Sequence, residues 1–199
     1  DEFVVAVPAK GSRGDYDTHL RMFASDKGLY VGAIMFQPPE TLVSRLSVRD
    51  DFLDRDSFGM NLDVSGEGLV GYWFILALSG SMQDGKLIRE RNYSRDWDGA
   101  WIGKSAVRDD GWSAEMFLPW SMMNMPRVDD RRTIGFLANR QVSHKNERYQ
   151  WPGHPYSSAR FLSAFNEVSV SGVQPIRLLS AIPYASLTLD EASGEKDVR

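Results

Sequence analysis

Ala100-Trp101-Ile102-Gly103-Lys104-Ser105-Ala106-Val107 and Trp112-Ser113-Ala114-Glu115-Met116-Phe117-Leu118 flank the short run Asp109-Asp110-Gly111. Two segments of strand-forming residues around an Asp/Gly turn read as a β-hairpin. Trp101 and Trp112 alternate with apolar neighbours inside these runs, which predicts core positions for both. The same grammar repeats outward. Thr18 to Phe23 alternates polar and apolar, Asp26-Lys27-Gly28 turns, and Leu29 to Phe36 returns as a nearly all-apolar strand that Pro38-Pro39 stops. Val43 to Val48 reads as a short alternating strand and Asp50 to Ser57 as a charged loop. Phe58 to Asp63, Leu69 to Leu78, Arg132 to Arg140, Glu147 to Trp151 and Phe161 to Val170 follow as strands, with Asp84-Gly85 as a turn. Phe3 to Val7 is strand-like as well. About ten strands at this spacing predict an antiparallel sandwich, all-β, in two sheets. Only Trp120 to Met125, entered through Pro119 and stopped by Pro126, suits a short helical turn.

The 199 residues suffice for one domain. We place its end near residue 173 and read 174–199 as a linker or the lead-in to a further domain, because Pro175 to Leu179 and Pro183 to Leu189 are strand-like and the last ten residues are charged. Lys plus Arg is 23 and Asp plus Glu is 27, so the net charge is −4, which argues against a nucleic-acid partner. No apolar run is long enough for a membrane-spanning helix, so this domain is not expected to insert into a bilayer itself. Cysteine is absent, which excludes disulfides, thiolate metal sites and a Cys nucleophile. No paired-histidine, nucleophile-elbow or phosphate-loop motif occurs.

Two groups of residues carry chemistry. Asp50, Asp51, Asp54 and Asp56 lie within one stretch beside Arg49 and Arg55, with Asp63 after the next strand. Such a loop is either solvated and ion-paired or a structural calcium site; glycoside hydrolysis by its carboxylates is the remote alternative. The second group is aromatic. Sugar rings stack their apolar faces on aromatic planes, and Trp97 and Trp151 sit at loops, where each is either a hydrophobic lid over the core or such a platform. The six Lys and Arg between Arg127 and Arg148 stand against three acidic residues and read as a solvated face.

Several of these runs together resemble the family 9 carbohydrate-binding modules. Asp26 to Gly32, Asp56 to Asp63, Gly111 to Trp120 with its Gly-Trp-x-x-Glu core, Ile134 to Arg140 with Trp151, and Phe165 to Val168 resemble the pieces of that family in order. The similarity covers residues 15–170 and is nearest to modules that precede a C-terminal barrel in bacterial outer-membrane proteins. The family's usual opening motif is missing. The resemblance implies a sandwich that binds saccharides without cleaving them, with two Trp clamping a sugar and calcium stabilising the fold. Trp151 matches the later clamp position. Where the earlier clamp would fall, this chain has Phe52 and Leu53, and Gly59 and Ile75 stand where a polar clamp residue is expected. The expected ligand-binding residues are thus Trp151, Phe52, Asn139, Arg140 and Trp97, with Asp50, Asp51, Asp54 and Asp56 as the calcium ligands. The expected setting is the periplasm, outer membrane or cell surface of a Gram-negative bacterium. A structural domain attached to an outer-membrane barrel, binding no sugar, is the rival reading.

Overall fold

A computed structural model describes residues 3–128, 131–154 and 159–175. Twelve strands appear among them: β1 Val4–Val7, β2 Thr18–Ala24, β3 Gly28–Phe36, β4 Ser57–Asp63, β5 Val70–Ala77, β6 Met82–Ile88, β7 Asn92–Ser94, β8 Ile102–Arg108, β9 Gly111–Pro119, β10 Arg131–Val142, β11 Glu147–Trp151 and β12 Asn166–Ser171. All ladders are antiparallel. The larger sheet runs β1-β11-β10-β4-β5-β6-β7, and the smaller runs β2-β3-β9-β8. Helical structure among the described residues is confined to three-residue 3-10 turns, one of them the expected Trp120–Met122. The expected linker lies outside the described residues beyond position 175. Val173, just before it, is buried in the core.

The sheets face each other through alternate residues. β9 turns Trp112, Ala114, Met116 and Leu118 inward, and β4 turns Phe58, Met60 and Leu62 inward to meet them. Both Asp/Gly turns close hairpins as the sequence implies. Gly111 has φ +144°, and a Cβ there would fall 2.0 Å from the Met35 carbonyl oxygen, so only glycine fits.

β10 is the long central strand. Its residues 131–136 pair with β12 and 138–142 with β11, while β4 covers its other edge. Arg132 and Arg140 point inward near its two ends and are buried. Arg132 donates to the Val64 and Pro126 carbonyls. Arg140 donates to the Asp17 and Phe36 carbonyls, to Thr18 Oγ1 and to Gln37 Oε1 at 2.8 Å. Burial lowers the Arg140 pKa to about 10, which leaves it charged at neutral pH. The basic face expected here thus loses two members to the interior.

Two local expectations fail for stated reasons. Val43 to Val48 is not a strand, because side chains take its backbone groups: Asp56 binds the Val43 N–H, Ser81 binds the Ser47 N–H, and Arg55 binds the Arg45 carbonyl. Asp84-Gly85 is not a turn but the middle of β6; the chain reverses earlier, at Gly80 with φ +86°.

Candidate functional site

Part of the outer face of the larger sheet is covered. Trp73, Leu87 and Leu137 project outward from β5, β6 and β10 and lie under Phe161, Leu162 and Phe165. Glu90 fastens this cover. Its carboxylate accepts the Phe161 N–H at 2.6 Å, the Ser163 N–H and the Ser163 hydroxyl. Burial opposes the charge of Glu90, but these donors outweigh it and hold its pKa below the ordinary value. His154 and the Ala164 carbonyl bond across the base of the same excursion.

Beside the cover, one cross-strand row carries the polar groups. Register places Gln150 on β11, Asn139 on β10, Gly59 on β4, Ile75 on β5 and Gln83 on β6 side by side. Asn139 leans over the bare backbone of Gly59, its Oδ1 2.6 Å from where a Cβ would stand. A polar side chain thus lies over Gly59 from the neighbouring strand. Asn61, two residues along β4 on the same face, is buried with an Oδ1 that has no hydrogen-bond partner. Its cross-strand neighbours are Leu137 and Trp73, so it lies under the cover, and the unmade bond, about 1–3 kcal/mol, is a cost to the fold.

Phe52 closes the β6 end of the row. The Gln83 amide holds the Asp51 carbonyl, and the Arg95 guanidinium lies 4.0 Å from the centre of the Phe52 ring, which is half exposed. One face of this expected ligand residue is thus occupied by a cation.

The other expected ligand residues sit elsewhere. Trp151 is half-buried rather than an open platform; it packs 5.2 Å from Phe136 and 6.5 Å from Phe3, plugging one end of the core. Trp97 packs 4.8 Å from Tyr72 and 6.0 Å from Phe74, so it too faces the core. Arg140 is sealed between the sheets by its four bonds and leaves the ligand set. Gln83, Gln150 and Asn61 escaped sequence reasoning. They are polar residues within strands whose outward alignment depends on strand order.

The four Asp residues do not converge. Asp56 is fully buried and accepts from the Val43 N–H at 2.9 Å, the Gln37 amide at 3.1 Å and the Ser143 N–H at 2.8 Å. Asp54 accepts the Ser143 hydroxyl, and Asp50 accepts the Asp84 N–H. Asp51 is exposed, and its carbonyl accepts from Arg55 and Gln83. Among the described residues no group of three or more acidic or histidine side chains could hold a metal ion. The Asp50–Asp56 set does not fit calcium, since its members spend their oxygens on N–H and O–H donors in different directions. Asp56 also has no access to a substrate, which removes it as a hydrolytic acid. Titrating calcium into chelator-treated protein is expected to leave the melting midpoint in place. A rise at millimolar calcium that Asp50→Asn abolishes would restore the metal reading.

Asp84, overlooked by sequence reasoning as a turn residue, is the buried carboxylate that ties this loop to the core. It binds Trp101 Nε1 at 2.6 Å, the Gly99 N–H and the Arg49 guanidinium. Burial raises its pKa despite these donors.

No family model matches the sequence, and no curated protein matches it. Solved structures do resemble the fold. A family 9 carbohydrate-binding module from Caldicellulosiruptor kristjanssonii, solved with cellotriose, superposes with TM-score 0.58 at 13% identity over 93% of this chain and 88% of that one. The glucose complex of a family 9 module from that organism gives 0.51 at 14% identity over 86% and 82%. A proposed carbohydrate-binding protein from Bacteroides uniformis gives 0.64 at 12% identity over 85% and 84%. With its two antiparallel sheets and the register described above, this chain has the β-sandwich fold of the family 9 carbohydrate-binding modules.

Proposed function

We propose that this domain binds saccharide chains without cleaving them, on the outer face of the larger sheet beside the cover. The observation that carries the reading is the row Gln150, Asn139, Gly59, Ile75 and Gln83, of which Asn139 and Ile75 are partly exposed, with the exposed Phe52 at its end. The Asn139 carboxamide offers both donors and an acceptor, which suits hydroxyls that do the same, while the Gln83 and Gln150 amides are held by the Asp51 and Pro152 carbonyls. Ile75 and the Phe52 ring supply the apolar surface that sugar C–H faces need. The likeness to modules solved with glucose and cellotriose supports the ligand class. An envelope setting, ahead of an outer-membrane barrel and serving polysaccharide utilisation, completes the proposal; its support is the sequence resemblance.

Titration of cellotriose into the chain, read by calorimetry or amide shifts, tests it. Asn139→Ala should weaken binding by about five- to tenfold, the equivalent of one lost hydrogen bond of about 1 kcal/mol. A panel of neutral oligosaccharides that leaves every amide on β4, β5 and β10 unshifted would sink the reading and favour the purely structural domain.

A further inference from the structure

We infer that the outer face of the smaller sheet holds a second saccharide groove, one that takes an acidic, uronate-bearing chain. The inference rests on the reading of the domain as a saccharide binder, but it uses different residues. The cross-strand register sets two rows on this face. Phe23, Tyr30, Phe117 and Ile102 form one; Arg21, Gly32, Glu115 and Lys104 form the next. Together they bound a groove of about 670 Å³. That volume falls in the range of about 300–1,000 Å³ typical of ligand pockets.

The apolar row is exposed. Phe23 keeps 66% and Ile102 61% of their surface in water, although aromatic and branched residues of this size usually bury it. Tyr30 and Phe117 stack with ring centres 4.6 Å apart, and Phe23 follows at 6.1 Å. The row crosses four strands, three spacings of about 4.8 Å, which gives a run of roughly three sugar rings.

The second row supplies the charge. The side chains of Arg21, Glu115 and Lys104 make no hydrogen bond or ion pair among the described residues. Two cations against one anion leave a local +1 on a chain whose net charge is −4. Gly32 separates Arg21 from Glu115, and a Cβ built on Gly32 would meet nothing within 4 Å. The gap is therefore open down to the backbone. A carboxylate seated over Gly32 reaches the Arg21 guanidinium, whose planar fork suits it. The neighbouring hydroxyls meet Glu115 and Lys104, and the sugar C–H faces lie along the aromatic row.

Trigalacturonate is the probe, titrated at low salt, with cellotriose in parallel. Arg21→Gln and Gly32→Val should each weaken trigalacturonate binding at least about tenfold, and added salt should weaken it in the wild type. Valine suits a strand and has room at position 32, so that variant should melt no lower than the parent. The inference is overturned if trigalacturonate fails to bind or ignores both substitutions. It is equally overturned if the chain sediments as a dimer that Gly32→Val dissociates. Cellotriose separates this from the carboxamide row: cellotriose binding without trigalacturonate binding removes only the groove, and the reverse removes only the row.

Discussion

Asp56→Ala is expected to lower the free energy of unfolding by about 3–5 kcal/mol, a large share of the roughly 5–15 kcal/mol that holds a domain together. The carboxylate joins three stretches distant in sequence: the start of the 43–55 loop through the Val43 N–H, the end of β3 through Gln37, and the turn after β10 through the Ser143 N–H. Gln37 passes the connection to Arg140 through its Oε1. Alanine would leave two buried N–H groups unmatched and a buried guanidinium without its nearest anion. Asp56→Asn keeps the shape and one acceptor, so a smaller loss is expected. Urea unfolding of both variants measures it. A loss below about 1 kcal/mol for alanine would show that water replaces the carboxylate at this site.

Trp120→Ala should cost about the same, about 3–5 kcal/mol, by another route. The indole is fully buried, and its Nε1 donates to the Ser25 carbonyl at 2.8 Å. The Trp120 N–H donates to the Lys27 carbonyl, so the residue pins the β2–β3 turn to the end of β9 from backbone and side chain together. Truncation removes the apolar area, opens a cavity and strands the Ser25 carbonyl. Trp120→Phe separates the parts: it retains most of the packing and loses the indole N–H, so its midpoint should fall between those of parent and alanine variant. An alanine variant as stable as the phenylalanine one would mean that the neighbouring methionines Met123 and Met125 collapse into the space.

The fold was legible because its signals are local. Asp26-Lys27-Gly28 and Asp109-Asp110-Gly111 announce their hairpins, and period-two alternation marks β4 and β9. Asp84-Gly85 misled because a turn-forming pair can also be a buried acceptor and a thin spot in a strand. A Cβ on Gly85 would run into the Ser94 carbonyl and the Trp73 ring. The site was less legible. Phe52 and Asn139, expected from a loop and a motif, both lie at the proposed row. Arg140, adjacent to Asn139, was assigned the same task, yet one step along a strand reverses the face. Gln83 and Gln150 are 67 residues apart in sequence and join one row only through the order β11-β10-β4-β5-β6.

The way β10 shares one edge between two partners has a consequence for how such domains diversify. β11 leaves β10 at the Ala138–Trp151 pair, and β12 rejoins it at the Phe136–Asn166 pair. The chain thus departs from and returns to almost the same spot, like a drawer set into a fixed frame. Because the closure cost of a loop rises only slowly with its length, a shorter or longer span between those two feet leaves the register of both strands unaltered. Evolution, or an engineer grafting a new span there, can exchange what covers Trp73, Leu87 and Leu137, beside the carboxamide row, without renegotiating the sandwich beneath it.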